Sequence, residues 1–128
     1  MRKESSLVFD ERDEEIASLF MDLGLARSVA RALVFLSQVD EAVSTDVETG
    51  ANLRQPEVSV AMQALRAREW VVKRDLKKEG KGRPVHCYRL ARPLAEIIEE
   101  IEREKRAAAE RDLAALARLR GLSSPSGR

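Results

Sequence analysis

The 128-residue chain is expected to fold as a mainly α protein that carries one small β-hairpin and closes with a long helix. Three observations lead there. Apolar residues recur at i, i+3, i+4 and i+7 through most of the chain. In "VETGANLRQPEVSVAMQAL", Gly50, Asn52 and Pro56 break that rhythm over a few residues, which leaves room only for a tight turn between helices. In "WVVKRDLKKEGKGRPVHCYRLAR", two stretches of strand formers flank a linker rich in Gly and Lys, the pattern of a hairpin with a basic tip.

The first helix is expected over "DERDEEIASLFMDLG", capped by Asp10 with acids in the first turn, where the helix dipole favours them. Ile16, Leu19, Phe20 and Leu23 form its apolar face, and Gly24 ends it. A second helix, "LARSVARALVFLSQV", turns Val29, Leu33 and Leu36 inward with Ala32 beside them. Val43 suits a very short strand. Ser44 is a good N-cap for a short helix that buries Val47 and stops near Ala51, and Asn52 fits the left-handed position beyond it. The next helix starts near Gln55-Pro56, since proline is tolerated in a first turn, and runs to about Glu69 with Val58, Ala61, Met62 and Leu65 inward. Trp70–Lys77 and Val85–Ala91 read as the hairpin. From Pro93 a helix of about 27 residues, roughly 40 Å long, extends to about Leu119. Residues 121–128 are expected to be a disordered tail.

Asn52 thus reverses the chain, and Leu53 plugs the angle between two helices together with Val47, Val58 and Met62. This is a helix-turn-helix whose second helix is free to enter a major groove. With "STDVETGANLRQPEVSVAMQALRAREWV" and "KGRPVHCYRL" for the second hairpin strand, residues 25–92 resemble the winged helix-turn-helix transcriptional regulators of prokaryotes, the broad TrmB-, MarR- and ArsR-like group. Two residues depart from that pattern: Asn52 stands where the turn usually has glycine, and Glu69 where glycine usually precedes the wing strand. The resemblance implies that the recognition helix and the wing touch DNA.

The outward positions of the recognition helix are Arg54, Gln55, Pro56, Ser59, Val60 and Gln63, with Arg66 farther along and assigned, like Arg68, to phosphates or surface pairs. Gln55 and Gln63 suit a bidentate contact to adenine, Ser59 a base or a phosphate, and Arg54 guanine or phosphate. Val60 reads equally as a thymine-methyl contact or as core. On the hairpin, Lys77, Lys78, Lys81 and Arg83 surround Gly80 and Gly82, a composition suited to backbone or minor-groove contact.

Charge is segregated in the same sense. The formal net charge is +1, yet residues 1–52 hold 5 basic and 11 acidic residues, residues 53–92 hold 11 and 4, and residues 93–128 hold 7 of each. A polyanion meets a middle third of +7, not the average. Aromatic residues at 4% argue against a stacking platform for single strands. No Ser-His-Asp set or P-loop occurs, so no enzyme is expected. His86 and Cys87 adjoin on a strand and point to opposite faces, which argues against a shared metal, so no metal and no cofactor are expected. Cys87 reads as a half-buried structural cysteine rather than a redox switch, although Arg83 and Arg89 are near enough in sequence to lower its pKa. The start lacks an apolar secretion segment, no run approaches the roughly 18 apolar residues of a membrane span, and one cysteine fits a reducing cytosol. A cytoplasmic protein is expected.

Beyond Lys105 the last helix has little of its own chain left to pack on. The resemblance implies a homodimer through terminal helices, with Ile16, Phe20, Ile98, Ile101, Ala108, Ala109, Leu113 and Leu116 at the interface. The expected function is a homodimeric, sequence-specific double-stranded DNA-binding regulator that represses by occluding a promoter. A winged helix used as a protein-protein module is the alternative from another class. A third reading adds an unknown small-molecule effector in a cleft between the helices.

Overall fold

Three helices of this chain end on the same backbone motif, and that motif sets the path between them. The computed structural model describes residues 9–76 and 85–125. Among these run α1 (Glu11–Asp22), α2 (Arg27–Leu36), β1 (Ala42–Val43), α3 (Ser44–Ala51), α4 (Gln55–Ala67), β2 (Val71–Leu76), β3 (Val85–Leu90) and α5 (Leu94–Ser123). The chain divides into two compact units, Met1–Pro93 and Leu94–Arg128.

After α1, α3 and α4 a residue with positive φ lets two successive N–H groups reach back to carbonyls that the helix leaves open. At the end of α1 it is Gly24 (φ 107°), whose N–H donates to Met21 O at 2.9 Å while Leu25 N–H donates to Phe20 O at 3.1 Å. At α3 it is Asn52 (φ 58°), with Asn52 N–H to Thr49 O at 3.4 Å and Leu53 N–H to Glu48 O at 2.9 Å. At α4 it is Glu69 (φ 64°), with Glu69 N–H to Arg66 O at 2.9 Å and Trp70 N–H to Leu65 O at 3.0 Å. Each motif delivers an apolar residue toward the core: Leu25 is half-buried, and Leu53 and Trp70 are buried. The two residues that replace glycine therefore still make sharp turns. A Cβ in this conformation costs about 1–2 kcal/mol, which the paired hydrogen bonds and the buried apolar residue must offset.

Helix α1 starts on a reciprocal cap. The Asp10 side chain accepts from Asp13 N–H at 2.9 Å, and Asp13 Oδ2 accepts from Asp10 N–H at 3.0 Å. The Asp10 carboxyl is held below its ordinary range, chiefly by the Asp13 backbone hydrogen bond. The inner face differs from the expected one. Asp13, Ala17 and Phe20 are buried, Ile16 is half-buried, and Leu19 and Leu23 are exposed. Asp13 hides this stripe from a hydropathy reading, because an acid reads as outward. Here its carboxylate also accepts from Gln38 Nε2 and so is satisfied inside.

Helix α2 is central. Residues 30–36 are all buried, because α1, α3 and α4 all pack on it, so it has no outward face and Val29 lies only half-buried. Ser44 does not cap α3. Val43, extended by its pairing with Cys87 in the sheet, occupies the cap position, and no side chain caps the helix. The sheet is antiparallel in the order β1-β3-β2, with Ala42 opposite Tyr88 and Val71 opposite Leu90. Ala91 N–H donates to Trp70 O at 2.7 Å and closes the hairpin base.

Two contacts fix how α3 meets α2. Gly50 faces Phe35 so closely that a Cβ there would lie 2.1 Å from the ring. Arg31, only 6% exposed, joins three helices. Its Nε donates to Ala51 O at 2.7 Å, its two Nη groups donate to the Glu14 carboxylate at 2.7 and 3.1 Å, and its guanidinium lies 4.1 Å from the Phe9 ring centroid. Glu14 is held below its ordinary value of 4.5, first by the hydrogen bond from Arg31.

Helix α5 has 30 residues, about 45 Å. It continues through Gly121 to Ser123, past the expected end near Leu119, and residues 126–128 lie outside the described part. Ile97 and Ile101 are buried, whereas Ile98 and every leucine from Leu113 onward are exposed.

Gly50→Ala is expected to destabilise the fold by about 1–3 kcal/mol in chemical denaturation, because overpacking against buried Phe35 outweighs the gain of about 1 kcal/mol in helix propensity. Phe35→Leu should reduce that penalty in a double-mutant cycle. Arg31→Ala leaves the Ala51 carbonyl buried without its partner and is expected to cost about 1–3 kcal/mol. Arg31→Lys should recover only part of this, since it lacks the forked donors. Because Glu14 titrates lower folded than unfolded, its contribution is present above about pH 4.5 and is lost as pH falls through the folded value. Below pH 4.5, the wild type should therefore lose stability more steeply than Glu14→Gln.

Candidate nucleic-acid interface

Helix α4 divides lengthwise. Val58, Ala61, Met62 and Leu65 are buried, which anchors one stripe. Gln55, Ser59 and Gln63, four residues apart, are exposed in a row beside that stripe. Val60 is 60% exposed, so it is not core. Arg54, Pro56 and Arg66 are exposed as well. The polar amides and the hydroxyl thus occupy the middle of this face, with cations at its two ends.

The acid in its first turn, Glu57, is engaged by neighbouring donors. Glu57 Oε1 accepts from Arg54 N–H at 2.8 Å, closing the first turn of α4, and Glu57 Oε2 lies 3.6 Å from Arg27 Nη1. This half of a capping box occupies the carboxylate that would otherwise repel a phosphate near the helix start. Pro56 lies within the first turn, where its missing N–H costs no helical bond. Arg68, assigned from sequence to a phosphate or a surface pair, lies over the Trp70 ring at 4.0 Å from its centroid.

Lys77, Lys78, Lys81 and Arg83 of the hairpin tip lie outside the described residues. Exposed polar pairs flank the strands leading to them. Asp75 and His86 stand opposite each other with Oδ1 and Nδ1 2.9 Å apart. Arg74 reaches Glu41 through Nη2 at 2.6 Å and Nε at 3.2 Å, and this holds Glu41 below its ordinary range. Cys87 is buried beneath. Burial, and then a hydrogen bond with Glu41, push its thiol up, the opposite of the lowering by arginines that the sequence allowed. A raised pKa suppresses the thiolate. An open cleft of about 520 Å³ runs beside the end of α4, lined by Arg66, Glu69, Val71, Val72, Lys73 and Ala91.

Of the residues expected at a subunit interface, Phe20 and Ile101 are each 4% exposed. Ile16 and Ala108 are half-buried, and Ile98, Ala109, Leu113 and Leu116 are exposed. The residue that sequence reading missed is Arg31, which fixes the α3 carbonyl next to the turn. Its signal was a lone cation inside the otherwise apolar "VARALVFL".

No helix among the described residues is long and apolar enough to cross a membrane. No protein-family profile and no curated protein sequence matches the chain. Solved structures do. A structure described as a transcriptional regulator is 26% identical, with a TM-score of 0.54 over 89% of this chain and 76% of its own. A possible transcriptional regulator from Methanosarcina mazei Go1 is 15% identical, with a TM-score of 0.65 over 82% of this chain and 86% of its own. A MarR-family transcriptional regulator from Silicibacter pomeroyi is 20% identical, with a TM-score of 0.50 over 88% of this chain and 82% of its own. The chain therefore has the winged helix-turn-helix fold that these transcriptional regulators share.

Proposed function

We propose that the protein is a homodimeric transcriptional regulator that reads double-stranded DNA through α4 and represses by occluding a promoter. The observation that carries this reading is the exposed row of Gln55, Ser59 and Gln63 beside a fully anchored stripe, with the Glu57 carboxylate engaged by Arg54 N–H. Such a row presents neutral donors and acceptors to base edges on a helix that cannot roll away from the groove. Gln55 and Gln63 each meet an adenine edge with two hydrogen bonds, and Val60 meets a thymine methyl. Ser59 bonds a base or a phosphate. Arg54, Arg66 and the N–H groups of the first turn of α4 take phosphates.

The basic residues Lys77, Lys78, Lys81 and Arg83 add backbone or minor-groove contacts from the wing. Exposed positions of α5, with Ile16 of α1, join two copies, so that two recognition helices meet a two-fold site. A small-molecule effector, where one acts, binds in a cleft between the copies. A protein-docking winged helix would display an apolar patch where α4 displays amides. The single exposed Val60 does not make one.

Binding to random-sequence duplex should weaken with salt at a slope of about −0.9 in log K per log salt for each phosphate neutralised. Lys78→Glu together with Lys81→Glu should lower affinity about a hundredfold at low salt and flatten that slope by about 2. Gln63→Ala should leave binding to random duplex unchanged. A flat salt response, untouched by both reversals, would assign the fold to protein docking instead.

A further inference from the structure

We infer that Arg27, at the start of α2, is a further contact to the DNA backbone, and that Glu57 holds it until a phosphate takes its place. The inference rests on the DNA reading proposed above. It adds a cation from outside the basic segment 53–92.

The fold carries this cation to α4 from the acidic part of the chain. Arg12, Arg27 and Arg31 are the basic residues of the described stretch 9–52. Arg31 is 6% exposed and bound to Ala51 O and Glu14. Arg27 is exposed, and among the described residues it is the one of the three with an ion pair to α4. Its partner Glu57 is half-buried, at the edge of the exposed face of that helix. A helix lying in a major groove has sugar-phosphate backbone along its edges. Arg54, exposed at the same helix start, stands as a second cation there.

The pair is one that a phosphate can replace. Arg27 Nη1 lies 3.6 Å from Glu57 Oε2, longer than a charge-assisted hydrogen bond, and the two side chains are 49% and 39% exposed. Such a pair is weak, because water screens it. A phosphodiester offers the planar guanidinium two oxygens for a forked contact. Glu57 stays behind when Arg27 leaves, since its Oε1 accepts from Arg54 N–H at 2.8 Å. Glu14 does not hold Arg27 either: the hydrogen bond from Arg31 is what chiefly lowers that carboxyl, and Arg27 contributes least.

Binding of the full-length protein to a short random-sequence duplex, followed by fluorescence anisotropy over a salt series, tests this. Arg27→Gln should flatten the slope of log K against log salt by about 0.9, the share of one phosphate, and Arg27→Lys should keep the slope. The size of the loss separates exchange from simple neutralisation of Glu57. In the wild type, where the weak pair must first be broken, Arg27→Gln should cost about threefold in affinity at low salt. In Glu57→Gln the carboxamide still accepts from Arg54 N–H but no longer holds a cation, so Arg27→Gln should cost about tenfold there. A loss in the Glu57→Gln background that is equal to or smaller than in the wild type overturns the exchange. An unchanged slope in Arg27→Gln overturns the phosphate contact. Both results leave the DNA reading standing, because the wild type still responds to salt. A wild type whose binding is flat in salt overturns that reading and this inference together.

Discussion

Arg31 holds the site in place. It is a cation buried in the central helix, and it ends the first helix of the helix-turn-helix by taking the Ala51 carbonyl. The next residue, Asn52, is the one that turns left-handed, so the guanidinium fixes the last helical peptide immediately before the chain reverses. Its other donors are spent on Glu14, which ties the same point to α1. With Gly50 pressed on Phe35, α3 can neither slide nor rotate on α2. The direction in which α4 leaves the turn follows from these contacts. A buried arginine costs much desolvation, and it is tolerated here because its forked donors find an oxygen on each side and an aromatic face covers it.

From that fixed start the two sides of α4 do different work. The buried stripe supplies stability, and the exposed row supplies chemistry without any acid of its own. Glu57 serves the N-terminus of the helix by accepting from Arg54 N–H, and the Arg66–Glu69 turn delivers Trp70 to the core and starts the hairpin. Acids are concentrated in residues 1–52 and bases in residues 53–92, so a polyanion is favoured beside the segment that carries α4.

Much of this was legible in the sequence, because periodicity and turn chemistry are local. Asn52, Gly24 and Pro56 announce helix ends through the backbone they need, and the inward positions of α4 follow from spacing alone. What was not legible depends on partners distant in sequence. Asp13 and Arg31 look like surface residues until Gln38, Glu14 and Ala51 are brought to them. Leu19 and Leu23 look like core until Asp13 and Ala17 take the inward side of α1. Ser44 looks like a cap until β1 pairs Val43 with Cys87. Glu69 shows that a left-handed turn was required even where its residue type does not advertise one. The exposed row of α4 was foreseen because its inward stripe was.

The most direct test is selection of bound duplexes from a random pool, followed by sequencing, with the wild type beside Q55A/Q63A. A protein that reads bases through α4 should enrich a two-fold-symmetric site with A·T pairs in each half, and the double variant should lose that preference while still retaining random duplex. Enrichment of no sequence by the wild type, or the same sequence enriched by both proteins, would show that α4 does not read DNA.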